Sequence, residues 1–186
     1  GDNIQILATH DVTITDATKT INDITINSTG TLTNNSGFDL IVTGTYINNG
    51  SHDLANNNLT LNPTTATTIE GTGSLLNVNN INFNNFSYTI PSTTNLTINN
   101  SGTVTIASNI VITNNGIVNV LGNLTGSNSN STWINNTGST LTIGGNLLAT
   151  GTLSANSSGN TVEYNGTVAQ NVKTPSASQY YNLTLS

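Results

Sequence analysis

Cysteine and methionine are both missing from this chain of 186 residues. The first absence excludes a disulfide-stapled scaffold and any thiolate-bound metal. Charge is nearly missing too. Lysine occurs twice, at Lys19 and Lys173, arginine does not occur, and eight carboxylates leave a net charge of −6. So few cations cannot neutralise a phosphate backbone, which sets nucleic acid aside as a partner. Nor can they hold the chain to an anionic lipid surface. No apolar run approaches the roughly 18 residues of a spanning helix, so membrane insertion is not expected. Strong helix formers are scarce beside Asn, Thr and Gly, which disfavours helix. Apolar residues make up 34% of the chain, below the roughly 45–50% of ordinary globular domains.

What the chain does have is one short phrase, apolar-polar-apolar, repeated from end to end. It appears as Val12-Thr13-Ile14, Ile24-Thr25-Ile26, Leu59-Thr60-Leu61, Leu96-Thr97-Ile98, Val104-Thr105-Ile106, Leu141-Thr142-Ile143 and Leu183-Thr184-Leu185. Alternation of this kind is the period of a half-buried strand, and it argues against disorder. Turn residues separate the copies, as at Ser28-Thr29-Gly30, Asn35-Ser36-Gly37, Asn48-Asn49-Gly50, Asn114-Asn115-Gly116 and Gly144-Gly145. Asn-Gly pairs accept positive φ at little cost and suit abrupt corners. The pattern predicts an all-β fold, a β-solenoid (β-helix) with irregular coils of roughly 20 residues and two or three strands each. A β-sandwich is the structural alternative. The whole of 1–186 reads as a single solenoid segment, one module of a longer chain or filament. Such a coil needs few inward side chains, and Ile14, Ile26, Val42, Leu61, Ile98, Ile106, Ile112 and Ile143 are the expected core. The polar tract Gly126–Thr132 reads as a protruding loop or a long corner, and Trp133 behind it as a core plug, with a sugar-stacking platform as the rival role.

Residues able to carry chemistry are thinly spread. The carboxylates are Asp2, Asp11, Asp16, Asp23, Asp39, Asp53, Glu70 and Glu163. Polysaccharide-cleaving enzymes need convergent acids, and these read instead as solvated corners. No catalytic residue, cofactor or metal site is therefore assigned, and the chain is not expected to be an enzyme. Asp11, Asp16 and Asp23 come nearest to a calcium cluster but lack the spacing of known calcium loops. His10 and His52 each precede an acid, yet no third ligand accompanies either, and both read as exposed turn histidines. Lys19 or Lys173 would need a buried Asn and acid to form an isopeptide crosslink, an arrangement that sequence does not reveal.

The surface-binding candidates are the Thr-x-Thr pairs Thr13/Thr15, Thr31/Thr33, Thr43/Thr45, Thr103/Thr105 and Thr140/Thr142. On a strand the two residues of a pair point to one side. Stacked coils would set them in ranks about 4.7 Å apart, which is similar to the faces of ice-binding solenoids. Thr is also simply a good exposed strand residue.

One stretch carries a family resemblance. Asn160-Thr161-Val162-Glu163-Tyr164-Asn165-Gly166-Thr167, then Ala169-Gln170-Asn171-Val172, then Tyr180-Tyr181-Asn182-Leu183-Thr184-Leu185-Ser186 resembles the repeat of large secreted surface adhesins and fibre proteins of gliding and surface-attached Gram-negative bacteria. The opening Gly1-Asp2-Asn3-Ile4, leading to Thr20–Ile26, is similar to the start of such modules. The resemblance implies an extracellular, cell-surface structural module used as stalk, fibre or adhesin, without catalytic residues. The expected partners are copies of itself or flanking repeats, with glycans or solid surfaces as further contacts. Ice binding or carbohydrate binding is the alternative function.

Overall fold

The computed structural model describes residues 1–100 and 102–186. Its 23 strands form three parallel sheets, and no described residue is helical. Sheet 1 stacks eight strands, sheet 2 nine and sheet 3 six, with neighbours in each sheet drawn from successive coils. The first coil sets the pattern. Ile4–Ile6 belongs to sheet 1, Asp11–Ile14 to sheet 2 and Lys19–Ile21 to sheet 3, and Ile24–Ile26 then lies back on Ile4–Ile6. The chain is a three-sided β-solenoid, and the β-sandwich alternative is set aside by the parallel pairing on every side. Coil length varies: Leu40 pairs with Leu59, and Tyr88 with Ile112. The irregular spacing of the sequence phrases is thus mostly corner length, while the strands stay in register apart from one irregularity where Ser74–Val78 meets Asn95–Asn100, between Leu75 and Val78.

Alternation fills the interior. On sheet 3, Ile21, Val42, Leu61, Phe83 and Ile106 stack as one inward column, beside Leu40, Leu59, Ile81, Val104 and Leu124. All are buried. Each of these apolar groups contributes roughly 1.5–3 kcal/mol by leaving water, so even this apolar-poor composition closes a dry core. Of the expected core residues all are buried except Ile14, which packs half-buried against the first coil. Larger side chains fill wider gaps. Phe83 and Tyr88 meet edge to face at 5.1 Å, and the Tyr88 hydroxyl donates to the Leu61 and Asn84 carbonyls. Trp133 is 1% exposed, so it is the core plug and has no free face for a sugar ring. The tract before it is a corner, not a protrusion: Asn128 and Asn130 donate to Ser108 and Asn109 of the corner beneath, and Ser131 is buried.

The corners obey a different chemistry from the one the Asn-Gly pairs suggest. Asn49, Gly50, Asn115 and Gly116 all avoid positive φ, which falls instead on residues such as Thr29, Asn56, Asn85 and Asn109. Glycine is required there by close stacking. A Cβ on Gly50 would lie 2.2 Å from the Gly30 carbonyl oxygen, and one on Gly73 would lie 2.3 Å from that of Gly50. Gly71 combines both constraints, with φ +119° and an added Cβ only 1.9 Å from the Asn48 oxygen. Inward asparagines close the same edge. Asn48, Asn114 and Asn135 each donate from Nδ2 to a carbonyl one coil above, at Ser74, Thr140 and Thr161.

Gly71→Ala is expected to destabilise the protein by about 3 kcal/mol or more. Gly37→Ala, at φ +89° with nothing within 4 Å of the new Cβ, should cost about 1 kcal/mol. Denaturant unfolding of the two variants side by side checks the difference.

Candidate functional site

The outward surface is built by the same alternation that fills the core. On sheet 2 the register sets Asp11, Thr31, Ser51, Ser74, Thr97, Asn119, Thr142, Glu163 and Thr184 in one rank. On sheet 3 the central rank is Thr20, Ile41, Thr60, Asn82, Thr105 and Thr125. Adjacent members stand about 4.8 Å apart, the spacing of neighbouring strands.

The ten Thr-x-Thr residues divide among these surfaces. Thr13 and Thr33 are neighbours on sheet 2, followed by Asp53. Thr31 and Thr142 share the long rank, and Thr140 lies beside it, between Ile117 and Thr161. Thr15 follows the first strand of sheet 2, and Thr43 and Thr45 occupy the corner ahead of Tyr46. The Thr43 hydroxyl donates to the Ile21 carbonyl, and the Thr45 amide donates to Asp23 Oδ1. Thr103 and Thr105 are on sheet 3, level with Asn123 and Thr125. Thr142 is 7% exposed, with its hydroxyl 3.4 Å from Glu163. The pairs therefore form no single array. The ranks that exist take one residue per coil and include Ser51, Ser74, Thr97, Thr20 and Thr60, which a search for pairs passes over.

The carboxylates divide between strands, which hold Asp11, Asp53, Glu70 and Glu163, and corners, and several accept hydrogen bonds there. Asp39 Oδ1 receives the Asn58 amide at 2.8 Å, and Asn58 Oδ1 receives the side-chain amides of Asn79 and Asn80. Asn80 Oδ1 in turn receives the Thr103 amide. Asp53 Oδ1 accepts from the Ala55 amide and from Asn77, and Glu70 accepts from the Thr68 hydroxyl. Asp16 pairs with Lys19 at 2.7 Å, and that hydrogen bond and charge hold its carboxyl below the usual range. Asp11 lies in a sheet 2 strand, Asp16 at the corner behind it, and Asp23 at the next corner, before Ile24–Ile26. Among the described residues no group of three or more His, Cys, Asp or Glu is placed to hold a metal ion.

The most unusual chemistry is inside. His52 is fully buried, which corrects its reading as an exposed turn residue; His10 is exposed as read. The corner at Asn48-Asn49-Gly50 ends at once, and Ser51–Asp53 is a strand whose middle residue points inward. The hydrogen bonds fix the ring's tautomer. Asn34 Nδ2 donates to the Phe38 carbonyl at 2.8 Å, so Asn34 turns its oxygen to His52 Nε2 at 3.2 Å. Nε2 therefore carries the proton, and Nδ1 accepts from the Tyr46 hydroxyl at 2.9 Å. Desolvation pushes the His52 pKa down to about 3, partly offset by neighbouring Asp53, and burial pushes the Tyr46 hydroxyl up. The cluster is closed to solvent and fully satisfied, an arrangement that stabilises structure. Its one mark in the sequence is the placement of His52 between two outward-type polar residues.

The two ends of the solenoid are the places where inward side chains meet solvent. At one end a cavity of about 280 Å³ is lined by Ile4, Val12, Ile14, Ile24, Leu32 and Leu40. At the other, a cavity of about 220 Å³ is lined by Tyr164, Val168, Val172 and Leu185. In the C-terminal stretch, Thr161–Tyr164 and Asn182–Leu185 pair in register. Gln170 ties the excursion between them to the body, accepting from the Gly166 amide and donating to the Ile143 and Gly145 carbonyls. No helix of the described residues is long and apolar enough to cross a membrane. Comparison with protein-family models, curated proteins and solved structures finds no match for this protein.

Because the native state holds His52 neutral, the unfolded chain binds the extra proton first as pH falls. Stability should decline from pH 6.5 toward pH 3, with the His52 share approaching about 5 kcal/mol below both values. Urea titrations across this range should show a shallower acid slope for His52→Gln than for the parent protein.

Proposed function

We propose that the protein is a structural segment of an extracellular fibre or surface adhesin, a spacer whose work is mechanical. The observation that carries this reading is the stacking of parallel ladders along one axis, nine strands in sheet 2, eight in sheet 1 and six in sheet 3, which ends at Asn123–Gly126. The nine strands of sheet 2 span about 38 Å at roughly 4.8 Å per step. Every coil shares its inward side chains with the next, so bending or shearing the rod strains many hydrogen bonds at once. The exterior is Thr, Asn and Ser with few charges, a surface that hydrates well without strong attraction to polyelectrolytes. The C-terminal resemblance to secreted adhesin repeats supports the extracellular setting. In this reading further copies of the protein or flanking repeats continue the ladders past the exposed Ile4 and Val12 at one end and Leu183 and Leu185 at the other.

Ice or carbohydrate binding is a second reading, favoured by the sheet 2 rank of Thr31, Ser51, Ser74 and Thr97. Asp11 lies directly beside Thr31, Asn119 follows Thr97 and Glu163 lies farther along the rank, so the scaffold reading is preferred.

Negative-stain microscopy at rising protein concentration tests end-to-end association. The parent protein should lengthen into rods, whereas Val12→Lys and Leu185→Lys, each placing a charge on an exposed inward position, should remain short particles. Rods of equal length in all three would overturn the end-to-end contact. Thermal hysteresis or selective retention on a glycan array that is lost in Thr31→Lys and Thr97→Lys would instead establish the second reading.

A further inference from the structure

The sequence has three Asn-Gly bonds, Asn49-Gly50, Asn115-Gly116 and Asn165-Gly166. Asn is a thermolabile residue, and a following glycine offers the least steric resistance to its loss. In that reaction the glycine amide nitrogen attacks the asparagine Cγ. A new N–Cγ bond closes a five-membered succinimide, and the Cγ–Nδ2 bond breaks. Ammonia leaves, carrying the proton given up by the glycine nitrogen. Water then opens the ring to aspartate or to isoaspartate, whose backbone is one carbon longer.

All three glycine N–H groups are held by a side-chain amide oxygen. Gly50 donates to Asn48 Oδ1 at 3.1 Å, Gly116 to Asn114 Oδ1 at 3.0 Å and Gly166 to Gln170 Oε1 at 2.7 Å. The acceptors come from different positions, two residues before the glycine in two cases and four residues after it in the third. Two of the bonds close the edge between sheets 1 and 2, and the third follows a sheet 2 strand. What the three sites share is the outcome, a nucleophilic nitrogen whose proton is engaged and whose direction is fixed.

The damage avoided is specific to this architecture. Asn49, Asn115 and Asn165 donate their own amides to Ile26, Ile90 and Ile143 in the coil below, and Ser51 and Ile117, just past two of the glycines, donate to Gly30 and Thr94. An extra backbone carbon between such bonds would shift every later residue of the coil off its partner.

We infer that these three Asn-Gly bonds are the protein's intrinsic deamidation sites, and that Asn48, Asn114 and Gln170 are positioning residues that restrain succinimide closure by engaging the glycine N–H. The inference does not depend on the fibre reading. Asn165 is the most informative of the three because it is exposed while Gln170 is half-buried. The experiment incubates the folded protein in warm, mildly alkaline buffer and reads conversion at each site by peptide mass spectrometry. Gln170→Ala and the near-isosteric Gln170→Met, which fills the space without the amide group, should both raise conversion at Asn165 about five-fold, the rate equivalent of one ordinary hydrogen bond. Gln170→Glu, which keeps an acceptor oxygen but loses the Nε2 donors to Ile143 and Gly145, should stay near the parent rate, and acceleration there equal to that of Gln170→Met would assign the effect to the lost tether and overturn the inference. Conversion at Asn49 and Asn115 should not change. No acceleration in folded Gln170→Met, or acceleration confined to Gln170→Ala, would overturn the inference, the latter because it would point to packing. Should none of these variants fold, the parent protein in urea supplies the comparison: all three sites should convert faster there than in the native state, and equal rates would overturn it.

Discussion

Every feature of this molecule depends on the hydrogen-bonded parallel register between one coil and the next. A coil of roughly 20 residues has too few apolar side chains to bury anything alone. Set on another coil with matching phase, its inward residues complete columns such as Ile21, Val42, Leu61, Phe83 and Ile106. Because the period along a strand is two, a slip of one residue would send these columns to the surface and turn Thr and Asn into the core. Register is therefore the constraint, and the aliphatic interior and polar exterior are its two consequences.

The corners show how register survives variable coil length. Insertions of a few residues are absorbed between strands, while the corner edges are pinned from below by amide and carboxylate side chains. The path running from Asp39 through Asn58 and Asn80 to the Thr103 amide is one such edge. Here the scarce carboxylates find their use: Asp23, Asp39 and Asp53 accept backbone amides at turns. The abundance of Asn follows from the same need, since one amide both donates and accepts and can pass a hydrogen bond from coil to coil without net charge.

The architecture was legible in the sequence wherever two aliphatic residues flank a polar one, because that alternation has a single structural meaning. Ile24–Ile26 and Leu59–Leu61 are strands with the expected bounds, and Val12–Ile14, Leu96–Ile98, Val104–Ile106, Leu141–Ile143 and Leu183–Leu185 all lie within strands. Strands with a polar residue pointing inward escaped that rule. Tyr46–Asn48 and Ser51–Asp53 read as turn because Asn48 and His52 look like corner residues until the Tyr46 hydroxyl and the Ser74 carbonyl are seen beside them. Thr67–Glu70 and Thr132–Asn135 were hidden by their flanking Thr, which strands and corners use equally. The hydroxyl ranks were hidden for another reason: they are vertical, one residue per coil, and only the register shows which threonines from distant parts of the sequence stand side by side.

The enclosed Asn34–Tyr46–His52 cluster carries a consequence for how the stack is ordered. Coils lined with Ile, Leu and Val are nearly interchangeable, and nothing in a column of aliphatic groups forbids one coil from settling on the wrong neighbour. A ring nitrogen that accepts, a phenol that donates and an amide oxygen oriented by the Phe38 carbonyl form a lock with one key. Only the contact between Asn34 Oδ1 and His52 Nε2 joins two coils, and a misthreaded arrangement that parted them would leave the amide oxygen and the ring N–H in the apolar interior without partners, a cost of several kcal/mol. The polar cluster thus serves the molecule as an index mark, telling otherwise anonymous layers which one comes next.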